Sequence, residues 1–166
     1  MSFEIRPGEP DDIGSIQSIY AREVETGTAS FELVPPTAEE MLRRYQAVVD
    51  AGYTYLVAVD DNGVIGYAYT SSYRSRPGYR FSIEDSVYVH PSSRGRGIAS
   101  NLLQRLIECS SDGVFNQMIA IIGDSANHAS IELHRKQGFR HVGTIEQVGF
   151  KFERWIDTVI MQRSLR

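Results

Sequence analysis

The spacing of hydrophobic residues changes from strand-like to helix-like near the middle of the chain. Residues 83–89 are rich in β-branched and aromatic side chains and are followed by Pro91, which predicts a strand. In residues 98–107 the apolar positions recur every three or four residues, which predicts a helix. The intervening residues 94–99 are rich in glycine and arginine. The chain is therefore expected to run from a strand through a glycine-rich turn directly into a helix.

The rest of the chain shows the same two periodicities in shorter segments. The predicted strands are residues 3–6, 55–60, 64–70, 83–89, 116–122, 139–145 and 155–161. Further helices are predicted to begin near residues 10, 37 and 127 and to end at Gly27, Gly52 and Gly138. One α/β domain spanning residues 1–166 accounts for this pattern.

Four local patterns sharpen this outline. Thr37 with Glu40 matches a capping box at the start of the second helix. Residues 60–63, Asp-Asp-Asn-Gly, predict a hairpin between two strands. The near-continuous apolar run 116–122 predicts a strand that is buried on both faces. Residues 149–154 are expected to form an aromatic loop between the last two strands.

With 166 residues, of which 42% are apolar and 23% charged, the chain is large enough to bury a core. The net charge of −4 is spread along the chain, so neither a nucleic acid nor an anionic membrane is expected as a partner. No apolar run reaches membrane-spanning length and the N-terminus lacks a signal-peptide pattern, so a cytoplasmic location is expected. The single cysteine, Cys109, excludes an internal disulfide. It falls within an apolar helix, so its side chain is expected to be packed rather than to act as a nucleophile. No metal-ligand spacing occurs in the sequence, so no metal is expected.

The glycine-rich turn carries the clearest indication of chemistry. Backbone N–H groups at the start of a helix lack partners and lie at the positive end of the helix dipole, so they form an anion site. Gly95 and Gly97 leave room for a large anion against the backbone, and Arg94 and Arg96 flank it. The anion expected here is a phosphate or a pyrophosphate.

The residues at fixed positions in and after the turn show which of the known phosphate-binding motifs it matches. A mononucleotide P-loop needs a Gly-Lys-Ser/Thr sequence after the turn, which is absent. A Rossmann turn needs a third glycine or alanine where Ser100 stands, and a βαβ unit near the N-terminus. Residues 94–99 instead fit Arg/Gln-x-x-Gly-x-Gly/Ala and follow the strand Val-Tyr-Val-x-Pro at 87–91. This combination resembles the acetyl-CoA site of the GNAT N-acetyltransferases.

The resemblance extends over almost the whole chain. Residues 127–139, an asparagine followed by a helix and a Gly-Phe pair, resemble the next block of that family. Residues 25–31, 82–91 and 149–157 are similar to segments of the phosphinothricin and methionine-sulfoximine acetyltransferases. The family implies an α+β fold with a mixed central sheet of about seven strands flanked by about four helices. Because its members are commonly dimers, a homodimer is expected.

The resemblance also implies a cofactor, acetyl-CoA, at the central segment. The backbone of Val87, Tyr88 and Val89 is expected to bind the pantetheine arm. The turn amides expected to hold the pyrophosphate belong to Arg94, Gly95, Arg96, Gly97, Ile98 and Ala99. Asn127 is expected to meet the pantetheine further along; a role as a helix cap alone is the alternative, and the two roles can coexist.

Acetyl transfer to an amine requires a group that accepts the ammonium proton. Glu84 is the candidate base, because it is a carboxylate on the strand that should align the thioester and the matching glutamate has this role in the resembling enzymes. Asp85 is expected to point to the opposite face. A backbone N–H such as that of Val89 can bind the oxyanion. His134 stands where many family members carry a tyrosine as the acid, so it is the candidate acid, with a purely structural histidine as the alternative.

Recognition of the amine substrate is expected to come from loops. Arg74 and Arg76 can bind carboxylate, phosphinate, sulfoximine or sulfone oxygens bidentately. Phe31 and Tyr79 are expected to line its aliphatic part. The alternative is that both arginines are solvated surface charges.

The function predicted from these features is N-acetylation of a small amino acid such as phosphinothricin, methionine sulfoximine or methionine sulfone by acetyl-CoA. Within the same class, another small amine, a protein N-terminus or a lysine is the alternative acceptor. A non-catalytic acyl-CoA-binding module is the alternative from a different class, because one fold can host many functions.

Overall fold

Seven strands and four α-helices make up the part of the chain that the computed structural model describes, residues 2–166. The helices are α1 (Ile13–Thr26), α2 (Ala38–Asp50), α3 (Ile98–Ser110) and α4 (His128–Lys136). The strands are β1 (Glu4–Pro7), β2 (Tyr55–Asp60), β3 (Gly63–Ser72), β4 (Ser82–Val89), β5 (Gln117–Gly123), β6 (Arg140–Lys151) and β7 (Arg154–Ser164). They form one mixed sheet in the order β1-β2-β3-β4-β5-β7-β6, in which only β4 and β5 run parallel. The predicted mixed sheet with four helices is confirmed.

The helices α1 and α2 cover one face of the sheet. The buried apolar stripe of α1 comprises Ile13, Ile16, Ile19, Tyr20 and Val24. At the start of α2, the Thr37 hydroxyl oxygen accepts a hydrogen bond from the backbone N–H of Glu40. Only this half of the predicted capping box forms, because the Glu40 carboxylate binds Arg43 and Arg44 instead.

The helices α3 and α4 cover the other face. The innermost side chains of α3, each at most 2% exposed, are Ile98, Leu102, Leu103 and Leu106. Burying a side chain of this size stabilises the fold by about 1.5–3 kcal/mol. Cys109 lies outside this stripe and is exposed, so the prediction that its side chain is packed is wrong. The apolar residues of α3 face the sheet, and Cys109 falls on the solvent side between them.

β4 and β5 separate after three residues and leave an opening in the sheet. They pair only over residues 82–84 and 117–119. Beyond this point β4 continues along β3 to Val89, while β5 continues along β7. Ile121 of β5 is 37% exposed, so the prediction that the β5 run is buried on both faces is wrong at this position. Ile121 projects from the face on which α1 and α2 pack against β2, β3 and β4, and these helices leave it uncovered. The opening itself leads toward the glycine-rich turn.

The last two strands are longer than predicted, and the expected aromatic loop is absent from this part of the structure. β6 and β7 remain paired up to the two-residue turn of Phe152 and Glu153, whose φ angles are 52° and 58°. A bulge shifts the register between Ile145 and Gly149. It interrupts the alternation of polar and apolar residues, which is why the sequence pattern did not predict the full length of β6.

Candidate active site

The opening between β4 and β5 exposes one edge of the β4 backbone. His90 donates its backbone N–H to the Ile65 carbonyl oxygen at 2.9 Å, and hydrogen bonding alternates along an antiparallel pair. The N–H and C=O groups of the even-numbered residues, Tyr88 among them, are therefore directed toward β3. Those of Val87 and Val89 face the opening. Such an edge suits an extended ligand that carries amide groups.

The glycine-rich turn leads from this edge into α3. Gly95 and Gly97 both have φ of 78°, in the left-handed region that other residues enter at a cost of roughly 1–2 kcal/mol. Gly97 is the N-cap of α3, and within residues 2–166 no side chain caps the helix there. The N–H groups of the first turn, from Ile98 and Ala99 onward, can therefore bind an anion, as the sequence predicts.

Carboxylates lie next to both arginines of the turn. Arg96 donates a hydrogen bond of 2.9 Å to Asp60, which ends β2. Arg94 is 3.6 Å from Glu23 of α1, and its side chain is 62% exposed. The positive charge of the turn is thus partly balanced within the protein. The backbone N–H groups, rather than the guanidinium charges, are the dominant feature of the site.

Asn127 has two contacts at the start of α4. Its side-chain oxygen accepts a hydrogen bond of 3.2 Å from the Ser130 N–H and caps the helix. Its amide nitrogen donates to the Gly123 carbonyl at 3.3 Å. The residue therefore joins α4 to the end of β5, beside the opening.

Glu84 lies where β4 and β5 separate, on the face covered by α1 and α2. Its register partners are Ser71 on β3 and Ile119 on β5. Burial raises the pKa of its carboxyl to about 7; the negative charge of Asp85 adds to the rise, and Arg74 opposes it. A carboxyl that titrates near neutrality is well matched to the work of a general base.

Asp85 and His134 form a buried pair on the opposite face of β4. His134 Nε2 lies 2.9 Å from Asp85 Oδ2, and Nδ1 lies 2.7 Å from the Ser130 carbonyl oxygen, so both ring nitrogens have acceptors. Burial lowers the pKa of His134, but the hydrogen bond and charge of Asp85, helped by Ser130, outweigh this and raise it. The pair therefore favours an imidazolium. Glu84 and His134 thus flank β4 from its two faces.

Of the residues predicted to bind the amine substrate in the loop after β3, the structure brings Arg74 and Tyr79 together but not Arg76. The Arg74 guanidinium carbon lies 5.2 Å from the centroid of the Tyr73 ring, which packs edge-on against Tyr79. Because Arg74 also lowers the pKa of Glu84, this group lies on the side of the candidate base. Arg76 is exposed and occupies the N-cap position of a short helical turn, which its side chain does not cap.

Phe31 lies in the α1–α2 loop (residues 27–37), whose anchoring the sequence pattern did not predict. The ammonium group of Lys151 donates a hydrogen bond of 2.8 Å to the Ser30 carbonyl. On the other side of Phe31, Arg44 binds both carboxylate oxygens of Glu32 at 2.8 and 2.9 Å. The sequence signal that could have indicated this arrangement is the lysine at position 151 within an aromatic segment.

Tyrosines fill the space between the candidate base and the helices α1 and α2. A cavity of about 40 Å³ is lined by Tyr20, Met41, Arg44, Val48, Tyr55, Tyr67 and Tyr69. Burial and the nearby charge of Glu84 both raise the pKa of Tyr69, whose hydroxyl contacts Ser86. Tyr67 and Tyr69 alternate along β3, so their shared face could have been inferred from the strand period.

Two further properties concern the described residues, 2–166. None of the helices in this range is long and apolar enough to cross a bilayer. The same range contains no group of three or more His, Cys, Asp or Glu side chains arranged to hold a metal ion.

Comparison with known proteins gives a consistent result. Residues 16–139 match the model of the acetyltransferase (GNAT) family. A phosphinothricin N-acetyltransferase from Alcaligenes faecalis is 51% identical over 161 residues, covering 97% of this chain and 82% of the relative. An L-methionine sulfoximine/L-methionine sulfone acetyltransferase from Pseudomonas paraeruginosa is 40% identical, covering 99% and 96%. The crystal structure of a phosphinothricin acetyltransferase from Sinorhizobium meliloti in complex with AcCoA superposes with a TM-score of 0.95 at 44% identity, covering 99% and 89%.

Proposed function

Because this chain belongs to the acetyltransferase (GNAT) family, we propose that it transfers the acetyl group of acetyl-CoA to the α-amine of a small amino acid. Phosphinothricin, methionine sulfoximine and methionine sulfone are the proposed acceptors, since relatives at 51% and 40% identity carry these names. The observation that carries the proposal is the position of Glu84. Its carboxyl, with a pKa raised to about 7, lies where β4 and β5 separate and directly precedes the edge that leads to the turn.

The residues of the opening fit acetyl-CoA. The Val87 peptide group and the Val89 carbonyl oxygen would pair with the pantetheine amides, and the first N–H groups of α3 would hold the pyrophosphate. The left-handed glycines, Gly95 and Gly97, allow the close approach of a bulky anion. When bound, acetyl-CoA supplies a thioester carbonyl that an amine can attack.

The side chains around the opening would handle the protons of the reaction. Glu84 as a carboxylate accepts a proton from the substrate ammonium, which leaves the neutral amine that can attack the thioester. A backbone N–H of the β4 edge, such as that of Val89, would donate to the oxyanion. His134 is the proposed source of the proton for the departing thiolate; because its two ring nitrogens contact Ser130 and Asp85, one of these hydrogen bonds would break during the transfer.

The acceptor would bind on the Glu84 side of the sheet. Arg74 is the proposed partner for its carboxylate or for the phosphinate, sulfoximine or sulfone oxygens, with Arg76 as a second candidate. Phe31 and Tyr79 are proposed to contact its aliphatic part.

A thiol-release assay with acetyl-CoA tests the proposal directly. The acceptors are phosphinothricin, methionine sulfoximine, methionine sulfone, the common amino acids and a lysine-containing peptide. Turnover on the first three supports the proposal. Turnover on the peptide alone would assign the enzyme to protein substrates, and acetyl-CoA binding without turnover on any acceptor would favour a non-catalytic binding module.

We also propose that the protein is a cytoplasmic homodimer. β6 is an edge strand of the sheet, and exposed edge strands with apolar side chains favour association. The exposed apolar residues of β6, of its turn into β7 and of the start of β7 are Val142, Ile145, Val148, Phe150, Phe152 and Trp155. Light scattering would give a dimer mass for the wild type, and a monomer mass at working concentration would exclude the dimer.

A further inference from the structure

The Phe31 ring lies between two glycines that come from different strands. A Cβ atom on Gly149 of β6 would lie 2.4 Å from Phe31 Cε2 and 2.8 Å from Cδ2. A Cβ atom on Gly123, which ends β5, would lie 2.6 Å from Phe31 Cε1 and 2.5 Å from the carbonyl oxygen of Thr28 in the same loop. These contacts fall on opposite edges of the ring. The ring therefore cannot slide away from one glycine without meeting the other.

Space, and not backbone conformation, explains why these two positions are glycine. Neither Gly123 nor Gly149 has a φ angle in the left-handed region, so an alanine could adopt the same backbone at both positions. Cβ contacts below 3.0 Å do not occur without a shift of the neighbour. Gly149 is consequently fitted to the Phe31 ring, and Gly123 is fitted both to the ring and to the Thr28 carbonyl of the same α1–α2 loop.

The residues on both sides of Phe31 are also fixed. The Ala29 N–H donates a hydrogen bond of 3.1 Å to Glu23. The Ser30 carbonyl accepts the bond from the buried Lys151, whose side chain loses hydration for that contact. The Ser30 hydroxyl lies 2.8 Å from the hydroxyl of Tyr20. Together with the Glu32 ion pair, these contacts hold the backbone of the loop while the ring occupies the space between the glycines.

Part of the Phe31 side chain remains open to solvent. It is 39% exposed although Gly123 and Gly149 lie against its edges, and it lies at the end of β5. We propose that Gly123, Gly149 and Lys151 are positioning residues that fix Phe31 as a rigid apolar boundary of the acceptor site, which limits the acceptor to amino acids with slender side chains. This inference rests on the proposed acetyltransferase function and adds the feature that determines acceptor size.

The decisive experiment compares alanine substitutions at two glycines of the same strand. Gly149→Ala displaces the ring, whereas Gly143→Ala is the matched control, because nothing lies within 4 Å of its Cβ position and its φ is not left-handed. Gly149→Ala should raise the KM for methionine sulfone about tenfold, which corresponds to about 1.4 kcal/mol of lost binding free energy. The KM for acetyl-CoA should stay unchanged in both variants. Equal KM changes for the two substrates, or the same acceptor effect in Gly143→Ala, would overturn the inference.

The same substitution in a Phe31→Leu background tests whether the effect acts through the ring. Leucine leaves room for the added methyl group, so Gly149→Ala should have little further effect on the acceptor KM and on Tm. Phe31→Leu itself should raise the relative kcat/KM for bulkier acceptors such as phenylalanine. Additive effects of the two substitutions would contradict the inference.

Thermal unfolding separates this inference from the proposed function. If the wild type shows no turnover on any acceptor, the proposed function fails, but the coupling of the two substitutions in Tm still tests the packing of Phe31. If the wild type is active and Gly149→Ala leaves the acceptor KM unchanged, the inference alone fails.

Discussion

The two halves of the candidate site are built in different ways. The half proposed for acetyl-CoA comes from one continuous segment, residues 87–99, and acts through backbone N–H and C=O groups. The half proposed for the acceptor is assembled from distant segments that side chains hold together, as when the Lys151 ammonium binds the Ser30 carbonyl, 121 positions away. A backbone site depends on few side chains, whereas a side-chain site can change with each substitution. The first half thus serves a common donor and the second can be adapted to different acceptors.

The largest expected effect is the loss of turnover when the proposed base, Glu84, is removed. Glu84→Gln should lower kcat by about 10²–10⁴-fold, the usual contribution of general base catalysis. Acetyl-CoA affinity should be unchanged, because Glu84 directs its peptide group toward β3 and precedes the edge that would bind the cofactor. Single-turnover kinetics with equilibrium binding of acetyl-CoA would check both statements. A variant that retained full turnover would remove Glu84 from the mechanism.

The same variant should be more stable than the wild type at alkaline pH. The pKa of Glu84 is raised from 4.5 to about 7 in the folded protein, so its stabilising effect is complete below pH 4.5 and is lost as the pH rises through 7. Glutamine cannot ionise and escapes this loss, which amounts to at most about 3 kcal/mol. Denaturant unfolding at pH 8 should therefore favour Glu84→Gln, and the difference should disappear at pH 4. If Glu84→Gln were no more stable than the wild type at pH 8, burial would not be raising the pKa of the Glu84 carboxyl.

The backbone half should respond to a single methyl group. Gly97→Ala should raise the KM for acetyl-CoA about tenfold, because alanine at φ of 78° is strained by roughly 1–2 kcal/mol and its methyl group limits the approach of the pyrophosphate. The KM for the acceptor should be unaffected. Gly52→Ala is the control, since Gly52 has φ of 81° but lies after α2, away from the turn. A similar acetyl-CoA effect in the control would assign the change to general strain.

The comparison also explains which parts could be predicted from the sequence. The turn at Gly95 and Gly97 was predictable, because its geometry depends on neighbouring residues only. The contact of Phe31 with Gly149 was not, because an apolar side chain and a glycine in separate segments carry no record of their proximity. β6 was predicted too short, since the bulge after Ile145 removes the period that identifies a strand. The exposure of Ile121 was not predictable either, because no local pattern shows that α1 and α2 pack on β2, β3 and β4 and leave this residue uncovered.

A smaller effect is expected on the pH profile when Asp85 is replaced. The negative charge of Asp85 raises the pKa of both Glu84 and His134. In Asp85→Asn both values should fall, so the acidic limb of kcat/KM moves to lower pH and the imidazolium is lost at lower pH than in the wild type. The other groups that act on Glu84 and His134 are unchanged in this variant. They are Arg74 beside Glu84 and the Ser130 carbonyl beside His134.

The profile of kcat/KM against pH and the ¹⁵N resonances of the His134 ring would measure the two shifts separately. Loss of rate without a shift of either limb would indicate a purely structural pair. His134→Gln is the matching variant, because it removes the titrating ring and should abolish only the limb that belongs to His134. If the limb persisted in His134→Gln, another group would have to be the acid.

The smallest effect is expected at Asn127, where the two halves meet. Asn127→Ser keeps an oxygen that can cap α4, but it loses the amide that donates to Gly123. A neutral hydrogen bond contributes about 0.5–1.5 kcal/mol, so the KM for acetyl-CoA should rise by only a few-fold. Asn127→Ala loses the cap as well and should also lower Tm. If serine restored both Tm and KM to wild-type values, Asn127 would be a helix cap alone; a raised KM at normal Tm would show that its amide also supports the cofactor half.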